Sequence, residues 1–146
     1  MKKKFLTLVF AIISVYAFSQ GNSEIVGEWY TADKSAVVTI FIEGEKISGK
    51  TTWMKEPLDA KGNPKLDKEN PDEKLRTRRR LGLKIMQGFV YKGNNIWEDG
   101  RIYKPTNGKT YGGVAKLSDK NTLELEGYLI SLPFMSKKQT WKRKTD

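Results

Sequence analysis

A cluster of arginines lies near the middle of the chain, and these side chains are well suited to binding a charged group. The stretch NPDEKLRTRRRLGL begins at Asn70 and places Arg76, Arg78, Arg79 and Arg80 within five positions. A guanidinium presents paired N–H groups that match the oxygens of a carboxylate or a phosphate. The cluster therefore has two interpretations: it binds an anion, or it holds its own segment in place.

The two interpretations assign different partners to the arginines. In the structural interpretation, Arg79 and Arg80 face water, and one of the other two pairs with Asp67, Asp72 or a backbone carbonyl. In the binding interpretation, the cluster forms an anion site, and a nearby helix N-terminus adds N–H donors. We expect no nucleic-acid partner, because acidic and basic residues intermingle in this segment. Attraction to a membrane surface is disfavoured for the same reason.

The absence of two residue types excludes several kinds of chemistry. The sequence has no cysteine and no histidine. Disulfides, thiolate or imidazole metal sites, and Ser-His-Asp or Cys-His catalysis are therefore excluded. We expect no metal and no cofactor. Glu98 and Asp99 are adjacent, so on a strand they face opposite ways and cannot act as one catalytic pair.

Aromatic residues supply a second candidate surface, because several of them fall in predicted strands. They are Trp53, Trp97, Tyr103, Tyr111 and Trp141. One interpretation is that they pack the core and the wall of the fold. The other is that they line a cavity for an apolar ligand, since a small eight-stranded barrel either fills its interior or holds one small molecule.

The N-terminus has the features of a secretory signal peptide. Lys2, Lys3 and Lys4 precede an apolar stretch, and Ala17 and Ser19 are the small residues that a signal peptidase reads. We predict a signal peptide over residues 1–19 and a single domain over residues 20–146. The mature protein would then have a net charge of +7 instead of +10, no membrane span, and a periplasmic or secreted location.

Short apolar segments separated by turns predict an all-β domain. The predicted strands are 25–31, 36–42, 46–54, 83–91, 96–103, 109–117, 122–130 and 137–144. The gaps between most of them are short, which favours antiparallel neighbours. Eight such strands can close into an up-and-down barrel, which removes both exposed edges. An open sandwich is the alternative.

One connection is much longer than the others, and it contains the arginine cluster. Residues 55–82 show no clear strand. Asn70 is suited to a helix N-cap and Pro71 to the first helical position, so we predict a short helix over residues 71–76. We expect this loop to be ordered, anchored by Asn70, Asp72 and Arg76, and to lie across one end of the barrel.

Three blocks of sequence resemble one bacterial family. They are Asn70-Pro-Asp-x-x-Leu-Arg76, Gly82-Leu-x-Ile-x-x-Gly-Phe89 and Ile102-Tyr-x-Pro-x-x-Gly-Lys-x-Tyr111. In this order and spacing they resemble domain-of-unknown-function family 2147, a group of small exported bacterial proteins. The resemblance covers nearly all of the mature chain and implies a lipocalin-like barrel without an assigned activity. Arg79 departs from the pattern, which usually has proline there, so the end of the loop is expected to be less rigid.

The same resemblance gives a role to three residues at the ends of the domain. In lipocalin-like barrels, a Gly-x-Trp on the first strand packs near the closed end, and a basic side chain from the last strand covers the indole. Gly27, Trp29 and Arg143 occupy these positions. A cation over tryptophan contributes about 0.5–2 kcal/mol.

Taken together, the sequence predicts a protein that binds a small molecule without catalysis. The ligand would be partly apolar. If it is also anionic, its negative group would contact Arg76 or Arg78. The candidate ligand-binding residues are Trp53, Arg76, Arg78, Trp97, Tyr103 and Tyr111. The alternative is an interaction module for a protein of the cell envelope, with a filled barrel and the basic loop as its contact surface. A carboxylate-dependent hydrolase ranks third, and the oligomeric state is left open.

Overall fold

The computed structural model describes residues 21–146, which form a closed eight-stranded barrel. Each strand pairs antiparallel with its neighbours in sequence, and β1 pairs with β8 to close the ring. The strands are β1 (Gly27–Tyr30), β2 (Ala36–Glu43), β3 (Lys46–Met54), β4 (Lys84–Gly93), β5 (Ile96–Lys104), β6 (Lys109–Asp119), β7 (Thr122–Leu129) and β8 (Leu132–Arg143). The predicted up-and-down barrel is confirmed.

The last strand differs most from its predicted bounds. It begins at Leu132, five residues before the predicted start at 137. The segment LPFMS contains a proline and no alternation of polar and apolar residues, so it did not resemble a strand. The predicted signal peptide, residues 1–19, lies outside the described residues. Within residues 21–146, no helix has the length and hydropathy needed to cross a membrane.

The long loop contains a helix that is shorter than predicted. It is a single 3₁₀ turn, Glu73–Leu75, in place of the predicted helix over 71–76. Its N-cap is Asp72, whose carboxylate accepts a hydrogen bond from the Lys74 N–H at 3.0 Å. The prediction of Asn70 as N-cap was wrong, because the helical turn begins only at Glu73; the Asn70 side chain caps the turn before it by accepting a hydrogen bond from the Asp72 N–H at 2.9 Å.

Large apolar side chains fill the barrel interior. Along β7, buried Leu123 and Leu125 alternate with half-buried Glu124 and Glu126, as expected of a strand with one face inward. The fully buried core members with large side chains include Trp29, Ile40, Ile47, Met86, Phe89, Trp97 and Leu123. This part of the interior is a packed core.

Phe89 shows how closely the wall and the core fit. A Cβ atom added to Gly100 would lie 2.4 Å from the Phe89 ring, and one added to Gly113 would lie 2.7 Å from it. These two glycines are register partners on β5 and β6. The wall therefore has no side chains where the Phe89 ring needs the space.

Gly27, Trp29 and Arg143, the residues predicted to close the barrel, lie next to one another. The Arg143 guanidinium lies 4.2 Å from the centre of the Trp29 ring. It also donates to the backbone carbonyls of Lys120, Val26 and Glu24 at 2.9, 2.8 and 2.7 Å. Gly27 has a φ of 139°, and a Cβ there would lie 2.6 Å from the guanidinium. One side chain thus joins the first strand, the last strand and the segment before β1.

Arg143→Lys is expected to lower the free energy of unfolding by about 1–2 kcal/mol, because lysine keeps the charge but cannot reach three carbonyls at once. Urea unfolding followed by tryptophan fluorescence measures the change. Arg79→Lys, at a guanidinium without such contacts, is the matched control and should change stability by less than about 0.5 kcal/mol. Equal losses in both variants would contradict this role for Arg143.

Candidate functional site

A buried carboxylate anchors the long loop to the barrel wall. Asp67 is fully buried. Its two oxygens accept hydrogen bonds from the Tyr103 hydroxyl at 2.5 Å, from Asn70 Nδ2 at 2.9 Å and from Arg78 Nε at 2.9 Å. Tyr103 belongs to β5, whereas the other three residues belong to the loop. The network therefore fixes the loop to the barrel through a single side chain of the wall.

The ionised form of Asp67 is the form that this network stabilises. Burial of the carboxyl group raises its pKa, but the hydrogen bonds from Tyr103, Asn70 and Arg78 outweigh burial and bring the pKa below its ordinary value. For Tyr103, burial and the hydrogen bond to Asp67 both raise the pKa of the hydroxyl. At neutral pH the pair is a carboxylate and a neutral phenol, and both serve to hold structure.

Two more arginines of the cluster hold the loop through its backbone. Arg76 Nε donates to the Asn70 carbonyl at 2.8 Å, and Arg80 Nε donates to the Leu66 carbonyl at 2.9 Å. Three of the four arginines are therefore loop-anchoring. Arg79 is the exception: across residues 21–146, its guanidinium has neither a hydrogen bond nor an ion pair.

The loop is attached to the outer face of the barrel wall at Tyr103. Along β5, Gly100 and Ile102 face the interior. A Cβ atom added to Gly113 on β6 would lie 2.7 Å from the buried Phe89 ring and 2.9 Å from the Ile102 side chain, so Phe89 and Ile102 are on the same, inner side of the wall. Side chains alternate along a strand, so Arg101 and Tyr103 face outward. The tyrosine that holds Asp67 is on this outer face, and the loop follows it there.

A cleft of about 640 Å³ lies between the loop and this outer face, and we call it the loop cleft. Its walls are the end of the loop and the outward side chains of β4, β5 and β6. The lining residues are Asn70, Pro71, Arg78, Arg79, Leu81, Gly82, Leu83, Lys84, Ile85, Gln87, Arg101, Tyr103 and Thr110. A second cleft of about 450 Å³ shares Lys84, Gln87 and Arg101 with it and is also lined by Glu43 and Asp99, so the two clefts are neighbours.

The loop cleft combines positive charge with apolar surface. Arg79 and Arg101 line it, and within the described residues neither guanidinium has an ion pair. The Arg101 guanidinium donates one hydrogen bond, to the Gly100 carbonyl. The exposed side chain of Leu81 supplies apolar surface. Guanidinium groups of this kind match carboxylate or phosphate oxygens. The volume is within the range of small-molecule sites, about 300–1,000 Å³.

The structure brings together only two of the six predicted ligand-binding residues. Arg78 and Tyr103 both line the loop cleft, with the guanidinium 5.9 Å from the centre of the ring. Arg76 is bound to the loop backbone and does not line the cleft. The remaining three lie elsewhere in the barrel, and their ligand-binding role stays a prediction.

Those three residues are separated by their places in the wall. Trp97 is fully buried and donates its indole N–H to Asn22 at 3.0 Å. Trp53 is 46% exposed and meets Tyr30 edge to face. Tyr111 accepts a hydrogen bond from Asn107 at 2.9 Å. They belong to the core, to a surface pair and to a hairpin, so they do not form one aromatic lining.

Sequence reasoning missed the wall residues of the cleft. Lys84, Gln87 and Arg101 are exposed polar residues on strands, a pattern typical of any solvated face. Their position opposite the arginine cluster depends on the direction in which the loop folds. Nothing in the local sequence gives that direction.

Comparison with known proteins agrees with this architecture. The model of the family described as "Uncharacterized protein conserved in bacteria (DUF2147)" matches residues 27–143. Among solved structures, the chain is similar to the protein HP1028 of Helicobacter pylori, which is described as belonging to the lipocalin family. The two are 28% identical with a TM-score of 0.72, and the match covers 84% of each chain. No curated protein matches the sequence.

Proposed function

The chain belongs to the DUF2147 family of uncharacterized bacterial proteins, and from this premise we propose that it binds a small, partly apolar, anionic molecule without catalysis. The lipocalin-like barrel is an architecture that suggests small-ligand binding. We further propose that the protein is exported, on the basis of the signal-like residues 1–19. The loop cleft is the proposed binding site.

The observation that carries this proposal is the pair of unneutralised guanidinium groups in the loop cleft. Arg79 and Arg101 come from opposite walls of the cleft, one from the loop and one from β5. An anionic group between them would replace water on both cations, while apolar atoms of the ligand would contact Leu81. The neighbouring arginines are already committed to the loop, which leaves this pair for a ligand.

The contribution of Arg79 and Arg101 can be measured with simple anionic amphiphiles. Decanoate and dodecyl phosphate are suitable probes, and a probe at one hundred times its Kd should stabilise the protein by about 2.7 kcal/mol. Arg79→Ala combined with Arg101→Ala should weaken binding about tenfold or more, because two charge-assisted contacts are lost. Thermal shift and calorimetric titration measure both effects.

A charge-matched variant separates a specific site from general attraction. Lys61→Ala combined with Lys74→Ala removes the same charge from exposed loop positions that line neither cleft, and it should leave the affinity unchanged. Equal weakening in both double variants would indicate nonspecific attraction. A wild-type protein that does not respond to any probe would argue against the binding function.

An interaction module is the second candidate, and the filled interior favours it. Packing of Phe89 and Trp97 leaves this part of the barrel without room for a ligand, so the outer surface carries any binding. An envelope protein with an acidic surface could contact the same basic residues. For the hydrolase alternative, the five carboxyl groups with shifted pKa values all shift downward, which favours the ionised form over a proton donor.

A further inference from the structure

The hairpin between β7 and β8 carries exposed apolar side chains that the proposed ligand function does not use. Ile130, Leu132, Phe134 and Met135 are 49%, 42%, 81% and 51% exposed. We call these four residues the apolar tip. Four large apolar residues exposed within six positions concentrate apolar surface at one hairpin, whereas exposed apolar residues on most protein surfaces are scattered.

The register of the hairpin explains why the apolar tip projects. Leu129 pairs with Leu132, but the next pair is Tyr128 with Ser136. Three residues of β8, numbers 133–135, therefore have no partner on β7 and bulge out of the ladder. On the other side, β1 pairs with β8 only at Arg143 and Lys142, so residues 132–140 extend past the end of β1.

Lysines surround the apolar tip. Lys137 and Lys138 follow it on β8, and residues 127–145 contain no aspartate or glutamate. Lys104 and Lys109 are register partners at the end of the β5–β6 hairpin. Alternate hairpins of an up-and-down barrel turn at the same end, so this lysine pair lies at the end of the barrel that carries the tip. Lys138 forms a long ion pair with Glu126, its register partner on β7, at 3.9 Å.

We propose that the apolar tip inserts into the surface of an anionic phospholipid bilayer. Apolar side chains that enter the acyl boundary, with basic residues at the level of the headgroups, are the features of interfacial membrane binding. Lysine is depleted in protein–protein interfaces, where arginine is enriched. The basic residues on the β7–β8 and β5–β6 hairpins are lysines, and this favours lipid headgroups over a protein partner.

Vesicle co-sedimentation tests this proposal. Wild-type protein should partition at least about tenfold more strongly to vesicles of phosphatidylglycerol and phosphatidylcholine than to phosphatidylcholine alone, and added salt should reduce the difference. Leu132→Ser combined with Phe134→Ser should weaken partitioning about tenfold or more, because two apolar side chains no longer enter the bilayer. Lys137→Gln combined with Lys138→Gln should weaken binding to the anionic vesicles alone.

The control variant removes two apolar residues that lie outside the apolar tip and are 45% and 50% exposed. Ile42→Ser combined with Leu58→Ser should partition like the wild type, and circular dichroism checks that every variant is folded. Equal binding to both vesicle types would overturn the proposal, as would a tip variant that partitions like the control. A wild-type dimer that the tip substitutions convert to a monomer would assign the apolar tip to a second copy of the chain instead.

Discussion

Asp67→Asn is expected to lower the free energy of unfolding by about 2–4 kcal/mol. An asparagine keeps the shape of the side chain but replaces one acceptor oxygen with an NH₂ group. The amide can keep its oxygen toward Asn70 and Arg78, which both donate to the same carboxylate oxygen. Its NH₂ group then faces the Tyr103 hydroxyl, which loses the acceptor that it has in the wild type. The ion pair with Arg78 also loses its negative charge, although Arg78 is 39% exposed and water compensates part of that loss. Urea unfolding measures the difference.

The pH dependence distinguishes the carboxylate from a neutral hydrogen-bonding group. Because the folded protein lowers the pKa of Asp67 below its ordinary value of 3.8, its contribution to stability is complete above that value and is lost as the pH falls through the folded pKa. The stability difference between the wild type and Asp67→Asn should therefore be constant near neutral pH and shrink below about pH 3.8. A difference that stays constant down to pH 2 would contradict the assignment.

An exposed aspartate gives the matched control for this substitution. Asp99 is paired with Lys92 at 3.0 Å on the surface and has a φ of 62°, a conformation that asparagine tolerates well. Asp99→Asn should change stability by less than about 1 kcal/mol. Comparable losses at the two positions would mean that burial of Asp67 has no special effect.

The barrel could be predicted from the sequence because its signals are local. Alternation along residues such as Leu123 and Leu125, and turn residues such as Asn107-Gly108, depend only on neighbours in the chain. The position of Arg143 over Trp29 was expected only from the resemblance to lipocalin-like barrels, in which a basic side chain of the last strand covers the indole. Where the local strand pattern agrees with the pairing of the first and last strands, few other folds are compatible with the sequence.

The candidate site could not be predicted in the same way, because it depends on how one long loop folds against the wall. Asp67 was named as one of several possible partners for Arg76 or Arg78, but its contact with Tyr103 spans 36 positions and fixes the loop on the outer face. Arg101 lines the loop cleft only because the loop is fixed on this outer face. The β8 extension was missed because its partners lie across a three-residue bulge that leaves no periodic pattern.

Phe89→Ala is expected to lower the free energy of unfolding by about 3–5 kcal/mol, because it removes a fully buried ring from a close-packed interior. Gly100 and Gly113 have no side chains that could move into the space. The strands around Phe89 would therefore fill little of the cavity, and the expected loss of unfolding free energy lies in the upper part of this range. Urea unfolding of the purified variant gives the value.

A cavity left by Phe89→Ala can be detected with a small apolar probe. Benzene should raise the Tm of the variant and leave that of the wild type unchanged, since an apolar void of this size stays dry and accepts such a molecule. Phe41→Ala, at a half-buried ring that contacts Lys50, is the matched control and should cost about 1 kcal/mol without a response to benzene. A loss below about 1.5 kcal/mol at Phe89 would instead mean that this interior is loosely packed. In that case the barrel interior, rather than the loop cleft, would be the better place to look for a ligand.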